Sequence, residues 1–186
     1  MDIEVTRRQF TVDEYLRMID ARILERADHI ELLEGDILEM APIGPSHASC
    51  VAMLTRQLVL GVGGRGLVVP QMTLPLYPRS APEPDLTVLR PREPPYRDAW
   101  ATPADVLLLV EVSDVSLRRD RDLKLPLYAR AAVPEVWIVD IRAERVLVHR
   151  GPRAGSYASI REVGRDGVVS PEAFPDLRVA VSEIFR

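Results

Sequence analysis

The run Val106 to Val112 (VLLLVEV) constrains this chain more than any other stretch. It is short and apolar on both faces, the pattern of a strand at the centre of a sheet. A carboxylate, Glu111, sits inside it. Beyond it, Leu117 to Ala131 has helical spacing, with Ser116 as a candidate cap and Pro126 placed to kink or restart the helix. This helix carries Lys124, the only lysine of the chain against 23 arginines. Generic positive charge is therefore supplied by arginine, and Lys124 is where a guanidinium does not serve. An ammonium is a compact point charge whose pKa can move, whereas a guanidinium is planar and permanently charged.

A second carboxylate, Asp85, opens another short apolar run, Pro84 to Leu89 (PDLTVL). An unpaired carboxylate in such surroundings costs several kcal/mol or stays protonated. A hard divalent cation relieves that cost. Magnesium prefers oxygen ligands, usually one or two carboxylates plus waters and substrate. Asp85 and Glu111 suit it in type, and the backbone carbonyl of Val112 offers a third oxygen. A bound cation would lower the pKa of water and bind phosphoryl oxygens, while Lys124 orients the attacking water or stabilises the charged transition state. Taken singly, either carboxylate is explained as well by a structural ion pair. Taken together, two strand-borne carboxylates and the sole lysine point to metal-dependent phosphodiester hydrolysis. A glycosidase built on paired carboxylates would need neither metal nor lysine.

Composition narrows the classes. A chain of 186 residues, 47% apolar and 28% charged, suits one folded domain spanning 1–186. No apolar run approaches the roughly 18 residues of a membrane span, and MDIEVTRRQF lacks the basic-then-apolar plan of a signal peptide. A cytoplasmic location, with no membrane partner, is the expectation. One cysteine, Cys50, excludes an internal disulfide and a cysteine metal cluster. A net charge of -4 argues against a broadly basic nucleic-acid coat, but not against a local basic groove.

In chain order, residues 10–27 have helical spacing, with Thr11 and Glu14 forming a capping-box pattern and Tyr15, Leu16, Ile19 and Ile23 near one face. Ile30 to Met40 predicts a hairpin turning at Glu34-Gly35-Asp36. Glu31 points to the face opposite Ile30 and Leu32. Ser46 caps a predicted helix over 47–60, ended by the glycine-rich stretch 61–66. That stretch is not a phosphate-binding loop, because no Gly-Lys-Ser/Thr follows. Leu67 to Val69 and Met72 to Leu76 are strand candidates. Residues 90–103 are too proline-rich for helix or central strand and predict an exposed excursion near the site. Glu135 to Val139, Arg145 to Arg150 and Tyr157 to Val163 predict strands, and 177–185 a short strand and a helical turn. The pattern predicts an α/β or α+β fold, with a central mixed sheet flanked by helices and carrying extra β-hairpins.

An ordered set of fragments carries a family resemblance: Ile30-Glu31-Leu32-Leu33-Glu34-Gly35-Asp36, then Met40, Pro42 and His47; Pro82-Glu83-Pro84-Asp85-Leu86; Val110-Glu111-Val112-Ser113; Asp120 through Lys124 to Tyr128-Ala129-Arg130; and Val133 to Asp140 (VPEVWIVD). Over most of its length the chain resembles the bacterial Uma-type restriction endonuclease family, a former domain of unknown function, within the PD-(D/E)xK nuclease superfamily. The resemblance implies a restriction endonuclease-like domain with a mixed four-stranded core and magnesium-dependent cleavage of nucleic acid, DNA being the expected substrate and manganese a possible substitute. It makes Asp85 and Glu111 the metal ligands, Lys124 the catalytic lysine and Glu31 an additional acidic residue near the metal. One departure stands out: Ser113 occupies the place of the superfamily's lysine, which Lys124 supplies from the following helix. A catalytically degenerate nucleic-acid- or protein-binding domain on the same fold is the alternative. Cutting both strands of a duplex calls for two sites, hence an expected homodimer or higher homo-oligomer.

Further candidates are weaker. His47 opens a helix, where hydrogen bonding at its start or a surface place competes with a site role. Gln71 is within conceivable reach of phosphate or a metal-bound water. Asp120 is read as an i,i+4 partner of Lys124, and Tyr128 as packing beneath the site. Arg118, Arg119 and Arg121 form a basic cluster for DNA phosphates, contacts that would make binding salt-sensitive. His29 and His149 are assigned to the surface, and Trp100 and Trp137 to packing.

Overall fold

The computed structural model describes residues 7–24, 30–40 and 42–186. Its centre is a six-stranded sheet in the order β3-β4-β5-β6-β7-β8. These strands are Leu67–Pro70, Leu86–Leu89, Val106–Ser113, Glu135–Asp140, Arg145–Arg153 and Ser156–Gly164. Only β5 and β6 are parallel; every other neighbour pair is antiparallel. The apolar run at 106–112 lies in β5, between β4 and β6, as its pattern requires.

Helices cover both faces. On one side α2 (Pro45–Val62) presents Cys50, Leu54, Leu58 and Val62 to Val110, Val112, Trp137 and Val139, with α5 (Val181–Ile184) beside it. On the other, the segment joining β5 to β6 presents Leu127, Tyr128 and Ala129 to Leu109, Val136 and Ile138. Strand alternation thus places Glu111 with Leu109 beneath that second helical segment, while Val110 and Val112 face α2. The hairpin of β1 (Ile30–Leu33) and β2 (Asp36–Glu39) turns at Glu34 and Gly35, both at positive φ. It packs with α1 (Val12–Asp20) through Val12, Tyr15, Leu32 and Ala81. A short pair, β9 (Val168–Val169) with β10 (Val179–Ala180), closes the far end.

Several expectations are corrected. The first helix has the Thr11–Glu14 capping box but stops at Asp20, where Ala21 caps it and Arg22 turns left-handed at φ 56°. Ile23 is therefore exposed rather than on the buried face, and residues 25–27 lie outside the described ones. Gly44, not Ser46, caps α2, because Pro45 supplies a preset φ at the first helical position. Met72 to Leu76 adds no strand to the sheet. It doubles back on 80–82 instead, with Leu74 N–H donating to the Pro82 carbonyl and Leu76 bonding Ser80 both ways. The excursion at 90–103 is exposed, but it joins the end of β4 to the start of β5, whereas Asp85 and Glu111 lie at the other ends of those strands.

His149 is the clearest reversal. It sits on β7 opposite Val136, is 2% exposed and meets the Tyr157 ring edge-on at 5.9 Å. His29 lies outside the described residues. Trp137 is fully buried, while Trp100 remains 38% exposed.

Burial pushes the His149 pKa below its ordinary 6.5. A histidine depressed in the folded state takes up its proton more readily when unfolded, so stability is whole above about pH 6.5 and falls as pH drops toward the folded value. His149→Phe is therefore expected to flatten the acid side of the stability profile, measured by urea unfolding at a series of pH values.

Candidate active site

β4 begins at Leu86, paired with Val110, while β5 continues to Ser113. Glu111 and Val112 therefore overhang the start of β4. The Val112 N–H, left without a strand partner on that side, donates to Asp85 Oδ2 at 2.7 Å. In a strand the N–H and C=O of one residue face the same edge, so the Val112 carbonyl also opens toward Asp85. His47, in the first turn of α2, brings Nε2 to 3.2 Å from both Asp85 oxygens. The hydrogen bond to Asp85 outweighs burial and raises the His47 pKa above its ordinary value.

Lys124 reaches the site from the helical segment after β5. That segment is α-helical at Leu117–Arg119 (α3), widens to a π-turn over Asp120–Lys124, and resumes as α4, Leu125–Arg130. The wide turn is closed by the Leu125 N–H donating to the Asp120 carbonyl. It lies just ahead of Pro126, whose ring in a regular α-helix would collide with the Asp122 carbonyl and leave it without a donor. Lys124 Nζ then lies 2.5 Å from Glu31 Oε1 and 3.1 Å from Glu111 Oε1. One turn on, the Tyr128 hydroxyl donates to the same Glu111 oxygen at 2.5 Å. The Glu83 N–H donates to Glu31 Oε1 at 2.9 Å, and Glu31 Oε2 is buried with no partner.

The trio is almost wholly out of water: Glu31 is 0%, Lys124 2% and Glu111 3% exposed. Burial alone would depress the lysine. Glu111 and Glu31 outweigh it and hold the ammonium charged, above its ordinary pKa. Burial also drives Glu111 well above the usual carboxylate range; Lys124 pulls against this, while Asp120, Asp85 and Glu31 add to the rise. Burial, reinforced by Glu111, likewise keeps the Tyr128 phenol protonated.

The sequence candidates converge to a large degree. A single cleft is lined by His47, Gln71, Asp85, Glu111, Val112, Arg119, Asp120 and Lys124, with Glu31 and Tyr128 directly behind. Two roles are corrected. Tyr128 makes a polar contact to Glu111 rather than only packing. Asp120 does not bind Lys124: its Oδ2 accepts from Ser113 at 2.7 Å and Ser116 at 2.5 Å, tying the π-turn back to the end of β5. Of the basic cluster only Arg119 lines the cleft. Arg118 is exposed and outside the lining, and Arg121 pairs with Asp122 on the surface. Missed from sequence were the walls: Pro42, Ile43 and Gly44 on one segment, and Asp114, Val115 and Ser116 on another. The signals for them were a turn on either side of a chemically marked run, the place of Pro42 among the family's fragments, and Ser116 as a helix cap.

Among the described residues no three His, Cys, Asp or Glu side chains converge as a ready-made metal cage. The donors at hand are oxygens: the Asp85 carboxylate, the Glu111 carboxylate and the Val112 carbonyl. Few protein ligands and much excess negative charge fit a hard cation that keeps its own waters.

The model of the family "Uma2: Putative restriction endonuclease" matches residues 12–182. The chain belongs to that family. Its fold is shared with the crystal structure of a nuclease, titled putative and assigned to DUF820, from Anabaena variabilis ATCC 29413, at 16% identity and a TM-score of 0.73 over 95% of this chain and 97% of that one. No curated protein matches.

If Lys124 neutralises the buried pair, removing it leaves two carboxylates unpaired. Lys124→Met is expected to destabilise this family member by about 3 kcal/mol or more. Adding Glu31→Gln should recover part of the loss, both read by urea unfolding at neutral pH.

Proposed function

We propose that this protein is a magnesium-dependent endonuclease that hydrolyses phosphodiester bonds of DNA, the whole chain serving as one restriction endonuclease-like domain. One observation carries the reading: the only lysine of the chain is buried between two carboxylates, at the strand end where Asp85 and the Val112 carbonyl face the same opening. Family membership and the shared nuclease fold support the class of chemistry.

Asp85, Glu111 and the Val112 carbonyl would hold Mg2+, or Mn2+ in its place. When bound, the ion supplies an acidified water and charge compensation at the phosphate. The chain's own residues do the rest. Lys124 donates from Nζ to the attacking water and to charge developing on the phosphoryl oxygens. Glu31 anchors that ammonium and holds it charged. Tyr128, bonded to one Glu111 oxygen, leaves the other to face the cation. His47 fixes the Asp85 carboxylate against the strand end. Asp120, through Ser113 and Ser116, holds the turn from which Lys124 projects. Arg119, on the cleft wall, is placed to contact a phosphate.

Calorimetric titration with magnesium or manganese, comparing wild type with Asp85→Ala and Glu111→Ala, tests the metal ligands. Binding by wild type and its loss in both variants is the expected result. Lys124→Arg should keep the positive charge yet lose DNA cleavage by about a hundredfold or more, since a planar fork does not replace a point donor. Wild-type protein that binds DNA unchanged by chelation, and cleaves none with either metal, would instead select the non-cleaving domain.

A further inference from the structure

The cleft over these residues is built differently from a groove for duplex DNA. Glu31, Glu111, Lys124 and Asp120 are each at most 3% exposed. A scissile phosphate must descend to them; they do not rise to a flat surface. The walls above carry little positive charge. Lys124 is already committed to Glu31 and Glu111, and among the described residues Arg119 is the only arginine in the lining. Carboxylates outnumber cations there: Glu83, Asp85 and Asp120 face the same opening. Double-stranded DNA carries one negative charge per ~1.7 Å of axis and is ordinarily tracked by rows of lysine and arginine. Among the described residues no such row lines this opening.

The rim is apolar where a duplex groove would be basic. Ile43, from the segment entering α2, is 42% exposed, and Val115, from the turn after β5, is 70% exposed. Both line the cleft, with Met40 and Pro42 beside Ile43. Aliphatic side chains held out into water beside a nucleic-acid site contact base faces, and apolar wedges separate stacked bases.

Resting on the hydrolytic reading of the same site, we propose that the cleft takes an unpaired stretch of DNA, with Ile43 and Val115 contacting bases while one phosphate descends to Asp85 and Glu111. A free single strand, a bubble and a flipped-out nucleotide all satisfy this geometry; an intact duplex does not. Because base contacts replace phosphate clamps, binding should depend only weakly on salt.

The test measures binding and cleavage separately, with magnesium present, on three labelled probes: oligothymidylate, a fully paired hairpin duplex, and the same duplex carrying an unpaired bubble. Binding is followed by anisotropy over a salt series. The expected result is a preference of about tenfold or more for oligothymidylate and the bubble over the paired hairpin, the size that burying one aliphatic side chain supplies. Ile43→Ser and Val115→Ser should each reduce that preference, while Val59→Ser, an exposed apolar residue of α2 outside the cleft, leaves it unchanged. Equal treatment of paired and unpaired probes overturns the proposal and leaves the nuclease reading standing, as does a preference that survives both rim substitutions. Preferential, rim-dependent binding without cleavage does the converse: the docking inference stands and the hydrolytic reading falls.

Discussion

One ammonium between two carboxylates joins three parts of the molecule that are distant in sequence. Glu31 comes from the β1–β2 hairpin, Glu111 from the central strand, and Lys124 from the helical segment that covers it. With all three nearly excluded from water, loss of the ammonium strands two buried carboxylates, whereas loss of one carboxylate leaves a balanced pair. The same arithmetic explains the lone lysine in an arginine-rich chain. The acceptors are two carboxylate oxygens in a closed pocket, one already bonded by Tyr128 and the other by the Glu83 N–H. A guanidinium would bring five donors in a rigid plane to a place with few acceptors left.

Delivering Lys124 there depends on two local irregularities. The first is the mismatch of strand lengths: β5 outruns β4, leaving Val112 unpaired on one side and giving Asp85 a backbone donor. The second is the π-turn before Pro126. A turn with one extra residue rotates everything beyond it relative to what precedes, so Asp120 points back to Ser113 and Ser116 while Lys124 and Tyr128 point to Glu111. Such turns recur at functional sites because they re-aim side chains without ending the helix.

These particulars mark the limits of what the sequence discloses. The central strand, the Glu34-Gly35 hairpin and the Thr11–Glu14 cap are legible because each rests on residues adjacent in the chain. Asp85 and Glu111 are legible because charge in apolar runs is expensive and must be answered by something, Lys124 because it is the only lysine, and Glu31 through the family resemblance. The partner of Asp120 is not: i,i+4 spacing predicts Lys124 only for a regular helix, and the π-turn breaks that spacing. His149 looks like surface because it stands between leucine, valine and arginine in an alternating strand, yet Tyr157 from the next strand and the covering helix bury that face. Met72 to Leu76 has strand character but spends its backbone on 80–82, Leu74 bonding Pro82 and Leu76 bonding Ser80, instead of joining the sheet. Partners a few residues away decide the Asp120 and Met72 to Leu76 cases, and a neighbouring strand and helix decide His149.

The charge balance of the cleft connects stability to chemistry. Glu31, Asp85, Glu111 and Asp120 surround a single lysine. Hydrogen bonds from Ser113 and Ser116 satisfy Asp120, and His47 with the Val112 N–H satisfies Asp85. Glu31 and Glu111 share one ammonium, so the chain supplies one positive charge fewer than that pair requires. Burial, with Asp120, Asp85 and Glu31 adding to it, raises the Glu111 pKa, and a proton is one way to meet the deficit. A cation on the side facing Asp85 is the other, and only that choice leaves Glu111 ionised while Lys124 keeps its proton. The deficit is local, buried and ringed by a rim with little charge of its own. The floor therefore draws a cation, and the opening is not the basic surface that the arginine cluster suggests in the sequence.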